Sequence, residues 1–263
     1  MAELDGRVAV VTGGGRGLGR AIAEAYLREE ARVVVTAARE RDEIDALVSR
    51  WGDARAMAVV ADVTDSAACD RAVAAAVGAF GGVDVLANNA GRGMKYVSPR
   101  FLDEPTRFWE IDPETWRLVI ATNVTGPCLM TRAVVRWMVG AGPGGSIVNV
   151  SMNYDTMKRR GFSPYGPSKA ALESASIISA QELAPEGIRL NVLLPGGATE
   201  TGMIPDAVPG EARAGLLRPE IVGPPAVYLA SDRSRHLTGH RLVATEWSPA
   251  SPDGRAAAAG IGG

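Results

Sequence analysis

The stretch Arg7-Val8-Ala9-Val10-Val11-Thr12-Gly13-Gly14-Gly15-Arg16-Gly17-Leu18-Gly19 decides the fold. Arg7–Thr12 is a short β-rich run, the glycines end it, and beyond them Leu18, Ile22, Ala25 and Tyr26 recur at helical spacing. Strand, glycine loop and helix make the first unit. Working outward, the alternation predicts strands at Arg32–Thr36, Arg55–Val60, Val83–Asn88, Ser146–Ser151, Arg189–Leu194 and Arg241–Ala244. Helices are predicted at Asp42–Trp51, Ser66–Phe80, Pro113–Val139, Tyr165–Ala184 and Pro224–Ala230.

Runs such as Val33-Val34-Val35 are apolar without alternation, as strands buried on both faces of a parallel sheet are. The expected fold class is α/β: one domain, residues 1–247, with a doubly wound parallel sheet flanked by helices. Right-handed crossovers then gather the loops after Thr12, Thr36, Val60, Asn88, Ser151 and Leu194 at the carboxyl ends of the strands, where a ligand binds. Gly91–Pro113 has no clear period and is longer than an ordinary connection. It reads as a surface excursion or a flap over the substrate side. The Ala/Gly/Pro/Ser-rich tail, 248–263, reads as a disordered or loosely packed arm.

Composition narrows the function. Of 263 residues 46% are apolar and 22% charged, with a formal net charge of -2, so neither a nucleic-acid footprint nor a basic membrane-binding surface is expected. Two cysteines (Cys69, Cys128) and two histidines (His236, His240) argue against disulfides, a metal site and most His-assisted nucleophiles. The start MAELDGRVAV has no secretory pattern, and no window of about 20 apolar residues stands out, so a cytoplasmic location is expected. Lysine is scarce: Lys95, Lys158 and Lys169 against 25 arginines.

Glycines at 13, 15, 17 and 19, between the first strand and first helix, let the backbone approach a pyrophosphate whose charge meets free N–H groups and the helix dipole. Leu18 opens that helix. An NAD site usually places an acid about 20 residues on, at the end of the second strand. Here that stretch is Thr36-Ala37-Ala38-Arg39, so Arg16 and Arg39 are expected to hold a 2′-phosphate, and NADP is the expected cofactor. NAD, with Glu40 as ribose acceptor, is the alternative. Asp62 and Val63 follow the third strand, where Asp62 can accept from an adenine amino group; Asn88, Asn89, Ala90 and Gly91 follow the fourth. Tyr165-Gly166-Pro167-Ser168-Lys169 puts a phenol and an ammonium at i and i+4 on one helix face. At about 4 Å and an effective dielectric of ~20 the ammonium is worth about 4 kcal/mol, enough to bring the phenol toward neutral pH.

Taken in order, Thr12–Gly19, Asn88-Asn89-Ala90-Gly91, Asn123 in Asn-Val-Thr-Gly, Tyr165-x-x-x-Lys169 and Pro195-Gly196 resemble the short-chain dehydrogenase/reductase family, over roughly Gly6 to Gly239. The resemblance implies a Rossmann-type domain that interconverts a ketone or aldehyde with an alcohol. Tyr165 would exchange the proton, Lys169 would bind the nicotinamide ribose and lower the Tyr165 pKa, and Asn123 would hold a water in a proton relay. Pro195, Gly196 and Thr201 would meet the nicotinamide carboxamide, and Met203, Ile204 and Val208 fall in the segment where the family carries its substrate lid. A dimer or tetramer is implied, with Ala170, Ala171, Leu172, Ala175 and Ile178 as a face suited to it.

The family's fourth catalytic member is a serine, and here the sequence departs. Ungapped alignment from Tyr165 puts Met152 in that register. Ser151 is the expected replacement, after a one-residue insertion in the following loop, with Thr156 or Asn153 as alternatives. Met152 also motivates a reading in another class, a dinucleotide-binding sensor or scaffold with weakened turnover. Epimerisation, dehydration or imine reduction on the same fold are further alternatives.

Overall fold

A computed structural model describes residues 2–142, 144–206, 208–253 and 257–258. Strands β1 (Val8–Thr12), β2 (Arg32–Ala37), β3 (Ala56–Val60), β4 (Val85–Asn88), β5 (Gly145–Val150), β6 (Ile188–Leu194) and β7 (His240–Val243) form one parallel sheet, and β8 (Ala257–Ala258) adds antiparallel to β7. The spatial order is β3-β2-β1-β4-β5-β6-β7-β8. Chain order reverses between β1 and β4, so the crevice at their carboxyl ends is the switch point.

The helices are α1 (Gly17–Arg28), α2 (Arg41–Trp51), α3 (Ser66–Phe80), α4 (Pro113–Ile120), α5 (Gly126–Ala141), α6 (Tyr154–Met157), α7 (Tyr165–Leu183), α8 (Gly210–Ala214) and α9 (Gly223–Ala230). Neighbouring strand residues feed opposite layers. Val11, Val33 and Val35 pack with Ile22 and Tyr26 of α1, Leu47 of α2 and Leu229 of α9. Val10, Val34 and Ile147 pack with Ala72 of α3, Met130 and Val134 of α5 and Ala180 of α7. Two-sided burial is why the strands read as unbroken apolar runs.

Several expectations need correcting at the edges. β4 starts at Val85 rather than Val83, because Asp84 is spent on the β1 start: its carboxylate accepts the Val8 N–H at 2.8 Å. Pro113–Ala141 is one rod whose most apolar window has a mean hydropathy of 1.4, long and apolar enough to cross a membrane. This differs from the expectation that no such window is present. Its buried face, including Val119, Met130, Val134 and Met138, packs as a core helix does. The rod widens to a π turn at Ala121–Thr125, which carries Asn123.

Gly91–Pro113 turns inward: Met94 and Phe101 are buried against Met152, Met157 and Phe162. Of the tail expected to be loose, residues 254–256 and 259–263 lie outside the described residues. Before them, Ser248 bridges Ser251, and the Asp253 carboxylate accepts from Tyr228 and lies 3.0 Å from His236 Nε2.

Candidate active site

The glycine loop is shaped by what cannot fit in it. Gly13 has φ +62°, and a Cβ there would lie 3.0 Å from Ala90 Cα. At Gly19 a Cβ would lie 2.2 Å from the Gly13 carbonyl oxygen and 2.3 Å from Asn89 Nδ2. Asn89 holds that spot by donating to the carbonyls of Thr12 and Gly13, both at 3.0 Å. Thr12 Oγ1 in turn accepts the N–H groups of Asn89 (3.0 Å) and Ala90 (3.1 Å). Glycine loop and Asn-Asn-Ala-Gly stretch are thus one bonded cradle. The first turn of α1 opens into it without a side-chain cap, leaving amide donors for an anion.

A cleft runs over this cradle. Gly13, Gly15, Arg16, Gly17, Leu18, Arg39, Asp62, Val63, Asn89, Ala90, Gly91 and Thr201, all expected from the sequence, line it. Gly19 instead packs beneath it, while Pro195 and Gly196 lie off its wall. There the Gly196 carbonyl accepts from Asn153 Nδ2 at 2.9 Å. Arg16 pairs with Glu43 at 3.2 Å and Glu40 at 3.9 Å. Asp62 accepts from the Thr64 amide at 2.9 Å and hydroxyl at 2.8 Å. Partial burial works against its charge, but the Thr64 bonds and the nearby Arg92 and Arg39 hold its carboxyl below the usual value.

Arg92, Tyr96 and Thr122, not expected from the sequence, also line the cleft, as does Met203, which was expected only in the substrate lid. The Arg92 guanidinium stacks on Tyr96, 4.6 Å from its centroid, and its Nε donates to Thr122 at 3.2 Å. Its place directly after Gly91 was the available signal. Lys95 and Asp206, 3.0 Å apart, tie this turn to the 202–206 segment.

Tyr165 and Lys169 are joined to the cleft wall through Asn123, which is fully buried. Its Oδ1 accepts the Arg92 N–H at 2.8 Å, and its Nδ2 donates to the Arg92 carbonyl and to Ser168 Oγ, both at 2.9 Å. Ser168 Oγ donates to the Tyr165 carbonyl at 2.6 Å. The Asn123 amide is therefore a strut between the β4 loop and the first turn of α7.

Lys169 Nζ lies 6.0 Å from the Tyr165 ring centroid and donates to the Val150 carbonyl at 2.7 Å. Burial pushes the phenol up to about 12 and the lysine down to about 8, the latter opposed by Glu173. This corrects the expected drop of Tyr165 toward neutrality.

Ser151, expected to face the substrate, does not join Tyr165. It is buried, and its Oγ donates to the buried Glu173 Oε1 at 2.5 Å. Met152 enters the apolar cluster against which Tyr165 packs, in agreement with the ungapped register. Asn153 is occupied by Gly196.

The short chain dehydrogenase family profile matches residues 7–212. An uncharacterized oxidoreductase of Methylorubrum extorquens is 35% identical over 257 residues, 93% of this chain and 98% of the relative. The 2,5-dichloro-2,5-cyclohexadiene-1,4-diol dehydrogenase of Sphingobium indicum is 32% identical over 90% of this chain and 94% of its own. Among solved structures, a short chain dehydrogenase from Burkholderia cenocepacia in complex with NADP superposes with a TM-score of 0.79, at 29% identity over 92% of this chain and 97% of that one. A 3-ketoacyl-(acyl-carrier-protein) reductase from Brucella melitensis complexed with NADH gives 0.79 at 31% identity, covering 91% and 97%. With the glycine cradle, the Tyr165–Lys169 turn and these matches in agreement, the chain belongs to the short-chain dehydrogenase/reductase family of oxidoreductases.

Proposed function

We propose that the protein is an NADPH-preferring carbonyl reductase acting on ketones or aldehydes with apolar substituents. The observation that carries this reading is an arrangement: Tyr165 lies one helical turn from the buried Lys169 ammonium, and Ser168 and Asn123 tie its turn to Arg92, which lines a cleft with a glycine cradle. The cleft fits a dinucleotide. Gly13, Gly15, Gly17 and the open amides of α1 would hold a pyrophosphate, and Arg16 and Arg39 a 2′-phosphate. Asp62 and Val63 would meet the adenine, with Lys169, Pro195, Gly196 and Thr201 on the nicotinamide side. The absence of an acid before Glu40 at the end of β2 favours NADP; the Glu40 and Glu43 carboxylates beside Arg16 are what favours NAD. A bound reduced nicotinamide supplies a hydride to the carbonyl carbon.

In this reading the chain's own groups handle the proton. Tyr165 gives its phenolic proton to the substrate oxygen as the carbon accepts the hydride, and the phenolate left behind faces Lys169. An ammonium near 8 is acid enough to return a proton to a phenolate near 12. Asn123 keeps α7 in register with the β4 loop. Met94, Phe101, Met152, Met157 and Phe162 form a buried apolar cluster against which Tyr165 packs, and the apolar substrate class is inferred from that neighbourhood. Ala171, Ala175 and Ile178 are exposed on α7 and are the face through which a dimer or tetramer would form.

Purified protein is mixed with NADPH and a panel of ketones and aldehydes. Steady loss of reduced-nicotinamide absorbance, abolished in Tyr165→Phe, is expected. NADPH binding without turnover on any carbonyl would favour the sensor reading that Met152 motivates.

A further inference from the structure

Glu173 and Arg241 have no part in the reading above, yet both are buried. Glu173 lies on α7 one turn beyond Lys169. Arg241 reaches it from β7, with Nε 3.3 Å from Oε1 and 3.2 Å from Oε2, the side chains 9% and 0% exposed. Desolvating such a pair costs about as much as its attraction returns, so its presence asks for a further reason. The bonds around it supply one. Three successive residues at the end of β5 are each held by one charged group: the Val150 carbonyl by Lys169 Nζ (2.7 Å), the Ser151 hydroxyl by Glu173 (2.5 Å), and the Met152 carbonyl by Arg241 Nη2 (2.7 Å). The Tyr154 ring, 3.9 Å from Arg241 Cζ, packs the guanidinium in place.

We infer that Glu173 and Arg241 are positioning residues of the active site. The pair pins the end of β5 so that Ser151 turns to Glu173 and Met152 joins the wall beside Tyr165. By engaging each other, the two leave the Lys169 ammonium only partly compensated next to the phenol. Without Arg241, the Glu173 carboxylate at i+4 would serve as the lysine's own counterion and cancel its field at Tyr165. With Arg241 present, the three charges sum to one positive charge. The charged and titratable groups around Lys169 are Tyr165 and Glu173 on α7 and Arg241 on β7, with Tyr154 of α6 behind the guanidinium. This inference rests on the reading of Tyr165 and Lys169 as the proton-handling pair.

The test needs neither substrate nor cofactor, because the chain has only three lysines, Lys95, Lys158 and Lys169. With carbon-13 lysine incorporated, the side-chain signals titrate separately by NMR. In the parent, one lysine should titrate near 8, below the usual ~10.4. Glu173→Gln should move the buried lysine down, and Arg241→Met should move it up, each by about one pH unit or more. Glu173→Gln/Arg241→Met removes both charges and guards against a single variant that fails to fold: its buried lysine should titrate below the parent's. Single or double variants that leave the buried lysine where it is, or singles that move it in the same direction, overturn the inference while the proton-handling pair stands. A parent in which all three lysines titrate near the usual value overturns that pair as well.

Discussion

Gly19→Ala tests the cradle most directly. The added Cβ would meet the Gly13 carbonyl oxygen at 2.2 Å and Asn89 Nδ2 at 2.3 Å, whereas carbon and oxygen come to rest at about 3.3 Å or more, so something must move by roughly 1 Å. α1 is fixed by Ile22, Tyr26 and Leu27, each fully buried, so the displacement falls on the loop and on Asn89. Asn89 then loses its bonds to the Thr12 and Gly13 carbonyls. At about 1–2 kcal/mol each, the loss comes to roughly 2–4 kcal/mol. The free protein can relax, but a dinucleotide must restore the loop, so NADPH affinity should fall by about 30- to 1000-fold. The assay is NADPH fluorescence titration beside a thermal melt. Gly78→Ala is the control: it sits in α3 with nothing within 4 Å of an added Cβ, so it should leave NADPH binding alone and stabilise by about 0.5–1 kcal/mol. A Gly19→Ala protein that binds NADPH within about threefold of the parent would refute the cradle as the cofactor site.

Arg16→Ala/Arg39→Ala should weaken NADPH by about 10²-fold, at about 1.5–3 kcal/mol for a charged hydrogen bond, and leave NADH nearly unchanged. Equal losses for the two cofactors would remove the arginines from 2′-phosphate recognition. Ser151→Ala should lower kcat by less than about tenfold, since its hydroxyl serves Glu173; a loss of 10²-fold or more would mean that it polarises the substrate carbonyl after all. Lys169 titrates lower in the folded chain than in the unfolded one, so between pH 8 and about 10.4 the unfolded state holds more protons and stability rises with pH. That rise, about 3 kcal/mol at 1.36 kcal/mol per unit, should be missing in Lys169→Met when urea midpoints are compared across the window; a slope equal to the parent's would contradict the burial of the ammonium.

The parallel sheet was legible because its strands are short apolar runs between glycine and helix signals, and local pattern is enough to recognise them. The cleft over the glycine loop was legible for a related reason: many of its residues fall at strand ends, whose positions follow from the strands. The Tyr165–Lys169 pair was legible as a spacing, but the directions of its pKa shifts were not, because burial, which raises the phenol and lowers the ammonium, is set by packing from distant segments. The π turn at Asn123 left no mark on the helical period of Pro113–Ala141. Ser151 was misplaced for a clearer reason. Which residue at the end of β5 turns toward α7 depends on Glu173 and on Arg241, 68 positions apart, and no reading of residues 145–165 contains either.

That misplacement bears on the direction of the chemistry. With Ser151 bonded to Glu173 and Asn153 bonded to Gly196, two of the three candidates for polarising a substrate oxygen from the β5 end are engaged elsewhere. Thr156 is the third, and in the proposed reduction it is the phenol of Tyr165 that gives the proton to the oxygen. A phenol held near 12 is a weak acid beside a neutral carbonyl but a sufficient one beside the alkoxide that forms as hydride arrives, so proton transfer runs downhill in the reducing direction. To oxidise an alcohol the same group must first become a phenolate, and near neutral pH a phenol at 12 seldom does. Raising the pH should therefore increase the oxidation rate on any alcohol substrate across the range in which Tyr165 loses its proton. Reduction should decline over the same range.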